Sequence, residues 1–207
     1  MRNKLFFSIL GVLVICGLTF GVTYAYYQAS TNTSFEGEGA TGISTTLTLT
    51  TTYKASKLVP LNNALVKTAI TKETNKCIDK DNYEVCSLYK ITLKNTNNSE
   101  DLQGYIRTTE STYTTDNLKY QIYDSNYSVL TDVMTLSKTA NETTYFKYNN
   151  NDYTVTSTGT TTYYLVIWLT DTGSEQSADY SKRFSGVVGF ESTSNSGFEK
   201  GRIEATF

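Results

Sequence analysis

The segment Thr162–Thr170, TYYLVIWLT, constrains the fold of this chain more than any other stretch, because both of its faces are apolar. Successive side chains of an extended strand point to opposite faces. One face therefore carries Tyr163, Leu165, Ile167 and Leu169, and the other carries Tyr164, Val166 and Trp168. Such a strand needs cover on both sides, so we expect it at the centre of a layered β-structure.

Other segments alternate apolar with polar residues, as half-buried strands do. In Ile43–Tyr53 we expect the core-facing residues to be Ile43, Leu47, Leu49 and Tyr53. The same pattern predicts strands at Leu88–Lys94, Leu102–Thr109, Phe184–Glu191 and Gly201–Phe207, with a turn at Asn95–Ser99. Weaker candidate strands are Leu65–Ile70, Leu118–Tyr123, Tyr127–Leu130, Thr144–Tyr148 and Tyr153–Thr156.

The composition favours the same fold class. The chain has 17 Tyr and 9 Phe but only one Pro, and Tyr and Phe, like its many Thr residues, suit a pleated, half-buried surface. We predict an all-β domain, a jelly-roll-like β-sandwich of antiparallel strands.

The N-terminal segment predicts export. Arg2 and Lys4 precede an uncharged run, and Thr23-Tyr24-Ala25 places small residues where a signal peptidase cuts, between Ala25 and Tyr26. The alternative is a retained transmembrane helix, because residues 5–27 are long enough to span a bilayer. In either case residues 26–207 lie outside the cytoplasm.

We divide the chain into a signal peptide or anchor (1–25), an N-terminal arm (26–42) and one β-sandwich domain (43–207). The arm has few apolar residues, Tyr26, Tyr27 and Phe35 among them, in polar and glycine-rich surroundings.

Charge and the absence of histidine exclude several function classes. Without Arg2 and Lys4, the remaining 16 basic and 20 acidic residues give a net charge of −4, which disfavours a nucleic-acid partner. The chain contains no histidine, so catalytic triads and histidine-based zinc sites are excluded. We predict no catalytic residue, cofactor or metal site.

Cys77 and Cys86 are the cysteines that remain after signal removal. A close, even pair in an oxidising compartment predicts a disulfide across a hairpin. The nearby acids Asp79, Asp81 and Glu84 suggest calcium, but they lack the EF-hand spacing and its glycine.

Two further motifs have a functional and a structural interpretation. Asp171-Thr172-Gly173 resembles an aspartic-protease motif, but that chemistry needs two facing carboxylates, and an Asp/Gly turn is the simpler interpretation. Trp168 could serve a sugar-binding platform, yet its apolar strand favours a core position.

Several stretches resemble the TasA and camelysin family of exported Gram-positive surface proteins. They are Gly21–Tyr27 (GVTYAYY), Phe35–Leu49 (FEGEGATGISTTLTL), Tyr89–Asn98 (YKITLKNTNN) and Tyr164–Ser192, a late strand, polar loop and F-x-G-x-V-x-F strand. The resemblance implies a secreted jelly-roll sandwich. In fibre-forming members the mature N-terminal arm of one subunit completes a sheet in the next.

The resemblance assigns that donor role to the arm 26–42, and hence to Tyr26, Tyr27 and Phe35. It implies a structural protein of surface fibres or biofilm matrix, whose partners are further copies or related subunits, with the translocon and signal peptidase acting during export. Camelysin is classed as a metallopeptidase, but without histidine we expect no such activity here. The alternative function is a surface binding module for a glycan or protein, held by residues 5–27.

We predict that the mature protein begins at Tyr26, because signal peptidase cuts after the small residue Ala25. N-terminal sequencing of the protein recovered from the producing cells tests this. A first residue of Met1 or Arg2 would favour the retained anchor instead.

Overall fold

The computed structural model describes residues 34–35, 45–193 and 201–207, with the backbone alone at 34–35, 96–100 and 157. All of them belong to one compact unit, Thr33–Phe207. The strands are β1 (Ser34–Phe35), β2 (Thr45–Tyr53), β3 (Cys86–Ser111), β4 (Leu118–Asp124), β5 (Met134–Thr135), β6 (Thr143–Tyr145), β7 (Lys147–Tyr148), β8 (Asn151–Asp152), β9 (Thr154–Leu169), β10 (Phe184–Ser192) and β11 (Arg202–Thr206). One α-helix, α1 (Val66–Thr71), and 3-10 turns at Asn63–Leu65 and Ser177–Asp179 complete the described elements.

The predicted signal or membrane helix (1–25) and most of the predicted arm lie outside the described residues. Among those that are described, no helix has both the length and the apolar character needed to cross a membrane.

Two long antiparallel strands, β3 and β9, build the sandwich. The first half of β3 lies between β2 and β9, and β4 and β5 extend this layer beyond β9. The second half of β3 pairs with β10 and β6, and β11 adds to β10 in the second layer. Every strand pair is antiparallel, which confirms the predicted all-β sandwich.

The turn predicted at Asn95–Ser99 is wrong, because β3 continues through these residues. The β3–β9 register jumps there, from Asn95 opposite Gly159 to Glu100 opposite Ser157. Extra residues on one strand form a bulge that bends it, and Gly159 adopts a positive φ of 64°, which suits glycine. The bulge lets β3 pass from one layer to the other.

The main core lies between the layers and confirms the inward positions predicted for Leu47 and Leu49, whereas Ile43 lies outside the described residues. Its buried members are Leu47 and Leu49 of β2, Tyr89, Ile91, Leu93, Leu102 and Ile106 of β3, Leu118, Tyr120 and Ile122 of β4, Val155, Tyr163, Leu165 and Ile167 of β9, Val188 and Phe190 of β10, Ile203 and Ala205 of β11, with Leu136 and Phe146. The short segments between residues 118 and 156 therefore contribute to the core. Tyr127–Leu130, predicted as a strand, folds back on β4 after a tight turn and makes one antiparallel bridge, with Val129 opposite Tyr123.

A second core covers the opposite face of the first layer. Trp168 and Val166 of β9 are fully buried there beneath α1 and the cysteine hairpin. Trp168 Nε1 donates a hydrogen bond to Asn63 Oδ1 at 2.9 Å. Both faces of β9 are thus covered, as the sequence predicted, and Trp168 is a core residue.

The prediction of a strand at Leu65–Ile70 is wrong, because this segment forms the end of a 3-10 turn and most of α1. Val66, Ala69 and Ile70 are buried, and their i, i+3, i+4 spacing puts them on one helix face. The Asn62 side chain accepts a hydrogen bond from Ala64 N at 3.0 Å and starts the turn.

The predicted inward position of Tyr53 is also wrong. The β2–β3 register shifts between Thr51 and Tyr53, and one extra residue reverses the alternation. Tyr53 therefore packs against the second core, whereas Leu47 and Leu49 face the main core.

We predict that Tyr120→Phe raises the free energy of unfolding by about 1 kcal/mol, because a buried hydroxyl without a partner destabilises the fold. Tyr120 is fully buried, and no described group forms a hydrogen bond with its hydroxyl. Urea denaturation measures the change.

Tyr123→Phe is the matched control. Tyr123 is equally buried, but its hydroxyl donates to Gln121 Oε1 at 2.6 Å, so its removal should lower the free energy of unfolding by about 1 kcal/mol. Equal destabilisation by both variants would contradict the prediction.

Candidate functional site

The edge of β2 is uncharged, and among the described strands only β1 pairs with its outer side. On one side β2 pairs with β3 from Thr45 opposite Asn95 to Tyr53 opposite Leu88. Leu47 and Leu49 are buried, while Thr46, Thr48 and Thr50 are exposed on the outer face. The strand TTLTLTTTY contains no charge and no proline. Charges and prolines are the devices by which edge strands usually prevent unwanted pairing.

The other side of β2 receives β1, which belongs to the predicted arm. Ser34 lies opposite Thr48, and Phe35 lies opposite Leu47, in antiparallel register. Among the described strands no other one pairs with this side of β2, so Leu49–Tyr53 continue the edge beyond β1. Phe35 is thus placed on the sheet, whereas Ala25, Tyr26 and Tyr27 lie outside the described residues.

The margin of the second layer lies beside this edge. β11 pairs with β10 alone among the described strands, and it is in contact with both β1 and β2. Ile203 and Ala205 of β11 share the main core with Leu47 and Leu49. The arm strand β1 therefore joins the sandwich where the margins of both layers meet.

The predicted disulfide is present. Cys77 and Cys86 are bonded, their Cα atoms are 5.3 Å apart, and both side chains are fully buried in the second core. The bond ties the segment after α1 to the first residue of β3. A buried disulfide of this kind is typical of extracellular proteins.

Glu84, inside the disulfide loop, fixes the chain that leaves β2. Its Oε2 accepts hydrogen bonds from Ser56 N and Ser56 Oγ, both at 2.7 Å, and its Oε1 accepts one from Tyr53 Oη at 2.8 Å. The hydrogen bonds from the Ser56 hydroxyl and from Tyr53 lower the pKa of Glu84. A carboxylate that accepts several hydrogen bonds favours its charged form.

The acids in the cysteine loop have structural roles. Asp79 Oδ1 accepts hydrogen bonds from the amides of Asp81 and Tyr83, both at 2.9 Å. In the part of the chain that the structure describes, no three His, Cys, Asp or Glu side chains converge to hold a metal ion.

Asp171 forms a turn. Its Oδ1 accepts a hydrogen bond from Gly173 N at 2.8 Å, and Gly173 has a φ of 70°. This is an Asx-turn after β9, the structural interpretation of the motif. Asp171 is exposed, and it lies on the loop that follows the central strand.

An open cleft of about 770 Å³ lies beside the β7–β8 hairpin, and the sequence patterns did not indicate it. It is lined by Asp132, Val133, Met134, Glu142, Thr143, Thr144, Tyr145, Lys147, Asn149, Asn150 and Asp152. Asn149 and Asn150 both have positive φ, as a two-residue type I′ turn requires. Asp132 accepts hydrogen bonds from their amides at 3.1 and 2.9 Å. In the sequence, the pair Asn149-Asn150 is the signal that could have indicated this hairpin, because Asn is common in such turns.

A charged network covers the outer face of the second layer, and it too was missed. Tyr105 Oη donates to Glu204 Oε1 at 2.7 Å, and the Arg202 guanidinium lies 5.1 Å from the centre of the Tyr105 ring. Arg107 pairs with Glu204, and Arg202 pairs with the buried Glu191. These charges stabilise one another, so the network is structural.

Comparison with known proteins gives little. No protein-family model and no curated protein matches the chain. A solved structure to which it is similar is described as a PA14 sugar-binding domain from an RTX adhesin. The identity is 11%, the similarity covers 78% of this chain and 76% of that one, and the TM-score is 0.30. Similarity at this level defines neither a shared fold nor a shared function.

We predict that Glu84→Gln lowers stability at neutral pH and flattens its decline in acid. Because the folded-state pKa of Glu84 is depressed, its contribution is present above the unfolded-state pKa, about 4.3, and is lost as pH falls through the folded-state pKa. Thermal unfolding of both proteins from neutral to acidic pH measures this. Parallel pH curves would contradict the assigned role.

Proposed function

We propose that this chain is an exported structural protein that forms or decorates surface fibres by exchanging its N-terminal arm, residues 26–42, between copies. The observation that supports it most directly is the pairing of β1, from that arm, with the uncharged edge of β2. The mechanism is backbone hydrogen bonding between strands, with no catalytic step.

The energetics are consistent with exchange of the arm between copies. Among the described residues β1 makes two residue pairs with β2, and a backbone hydrogen bond contributes about 0.5–1.5 kcal/mol net. An arm from a second copy can make the same pairs, since swapping identical elements costs little. It can also continue along Leu49–Tyr53, on the side of β2 that faces away from β3 and has no described partner there.

Export to the cell surface is supported by the buried disulfide between Cys77 and Cys86, since such bonds persist in oxidising compartments. The family resemblance supports a Gram-positive source and related fibre subunits as partners. Within this proposal the translocon and signal peptidase act before assembly, and the membrane is contacted only through residues 5–27 if they stay uncleaved.

The cleft beside the β7–β8 hairpin favours a second candidate function, a monomeric surface binding module. Its carboxylate, amide and hydroxyl side chains suit a polar ligand such as a glycan. Binding to a glycan array that is lost on Asp152→Ala would support this function, whereas a protein that binds none would remove it.

We predict that a disulfide between Ser34→Cys and Thr48→Cys blocks fibre formation. These residues are directly opposed across β1 and β2, and opposed Cα atoms of an antiparallel pair lie about 4.5–5.5 Å apart, a spacing that a disulfide spans. The bond locks the arm on its own sheet. Electron microscopy of the oxidised double variant should show monomers, and mild reduction should restore fibres.

The single variants Ser34→Cys and Thr48→Cys, kept reduced, are the controls and should assemble like the unmodified protein. The native disulfide is fully buried, so mild reductant should spare it. The oxidised double variant is first purified as a monomer, so that its new disulfide lies within one chain. Fibres formed from this monomer without reduction would overturn arm exchange.

A further inference from the structure

Two tyrosines that are distant in the sequence stack on the surface of the first layer. The ring centres of Tyr127 and Tyr164 are 4.8 Å apart, with 26° between the ring planes. Both side chains are partly buried at the margin of the second core. Burial, followed by the neighbouring Tyr164 side chain, raises the pKa of Tyr127.

The turn after β4 holds Tyr127 in this position. Asp124 Oδ1 accepts hydrogen bonds from the amides of Asn126 and Ser128, both at 2.8 Å. Tyr127 itself has a φ of 58°, a left-handed conformation that is unfavourable for a bulky residue. Tyr164 lies on β9 opposite Tyr123 of β4, so the turn folds back over its own layer.

The other tyrosines that the structure describes lack this combination of parallel stacking and access. Tyr105 and Tyr145 are 5.8 Å apart but edge to face, and Tyr105 is fully buried. Among the described tyrosines the most exposed are Tyr180, Tyr83 and Tyr148, at 74%, 58% and 48%. None of these three contacts another described aromatic ring.

We propose that Tyr127 and Tyr164 form a site of oxidative coupling, in which a carbon–carbon bond joins the ring positions ortho to their hydroxyls. The oxidant is hydrogen peroxide, used by a haem peroxidase. Each phenol loses one hydrogen atom to give a phenoxyl radical, and the two radicals couple. The two ring hydrogens at the new bond then move to the oxygens, which restores both phenols.

The atoms balance over this sequence. Two ring carbon–hydrogen bonds are replaced by one carbon–carbon bond, and the two hydrogen atoms removed reduce one peroxide to two waters. Held neighbours react far faster than groups that must meet by diffusion. Coupling within one chain should therefore prevail over coupling between chains, and it would fasten the turn after β4 to the central strand. This inference does not depend on fibre formation.

The test treats dilute mature protein with a haem peroxidase and hydrogen peroxide. Dityrosine fluorescence should appear in a monomeric product, and peptide mapping should find one cross-linked pair containing Tyr127 and Tyr164, lighter by two hydrogen atoms. Tyr127→Phe and Tyr164→Phe retain the rings but should lose the monomer signal. Tyr180→Phe, which removes the most exposed of the described phenols, should retain it.

Three results would overturn the proposal. They are dityrosine that forms only between chains, a cross-link that maps to other tyrosines, and an unchanged monomer signal in Tyr127→Phe. Circular dichroism of each variant before oxidation establishes that a lost signal does not come from unfolding, and if Tyr127→Phe fails to fold, peptide mapping of the unmodified protein decides alone.

Discussion

The pairing of β3 with β9 is the interaction on which the rest of the structure depends. Both strands run through both layers, so one ladder aligns the main core and the second core together. β9 can occupy this central position because its apolar side chains on both faces find cover, from the opposite layer on one side and from α1 and the cysteine hairpin on the other. The strands at the margins of the layers, such as β2, are positioned by pairing with this central pair.

Sequence periodicity correctly predicted those features of the fold that depend only on which side chains are buried. The central position of Thr162–Thr170 and the core positions of Leu47 and Leu49 followed from the side-chain pattern. The disulfide followed from the close pair of cysteines in an exported chain. The errors arose where backbone register decided the outcome. The bulge after Asn95 and the bulge before Tyr53 add residues to one strand of a pair, and alternation within a single strand contains no information about its partner. The segment Leu65–Ile70 was too short to distinguish a helical period from a strand.

The sequence shows which residues of the candidate site are apolar or uncharged, but it does not show which residues lie opposite one another. The apolar arm residue Phe35 and the uncharged strand Thr45–Tyr53 are visible in the sequence, whereas their opposition in register is not. The cleft and the Tyr127–Tyr164 pair depend on tight turns with positive φ at Asn149, Asn150 and Tyr127. Such turns bring together side chains whose sequence separation gives no sign of contact.

The antiparallel alignment of β2 with β3 has a mechanical consequence for any assembly that holds a neighbour at the β2 edge. A pull transmitted along β2 would act parallel to the strand, so the backbone bonds that join Thr45–Tyr53 to β3 would be loaded together in shear rather than opened one after another. The hydrogen bonds that Glu84 accepts from Tyr53 and Ser56 fix the chain at the far end of this strand, and the disulfide closes the loop that contains Glu84. The β2 edge is therefore fastened to the sandwich by hydrogen bonds that a pull along the strand loads together.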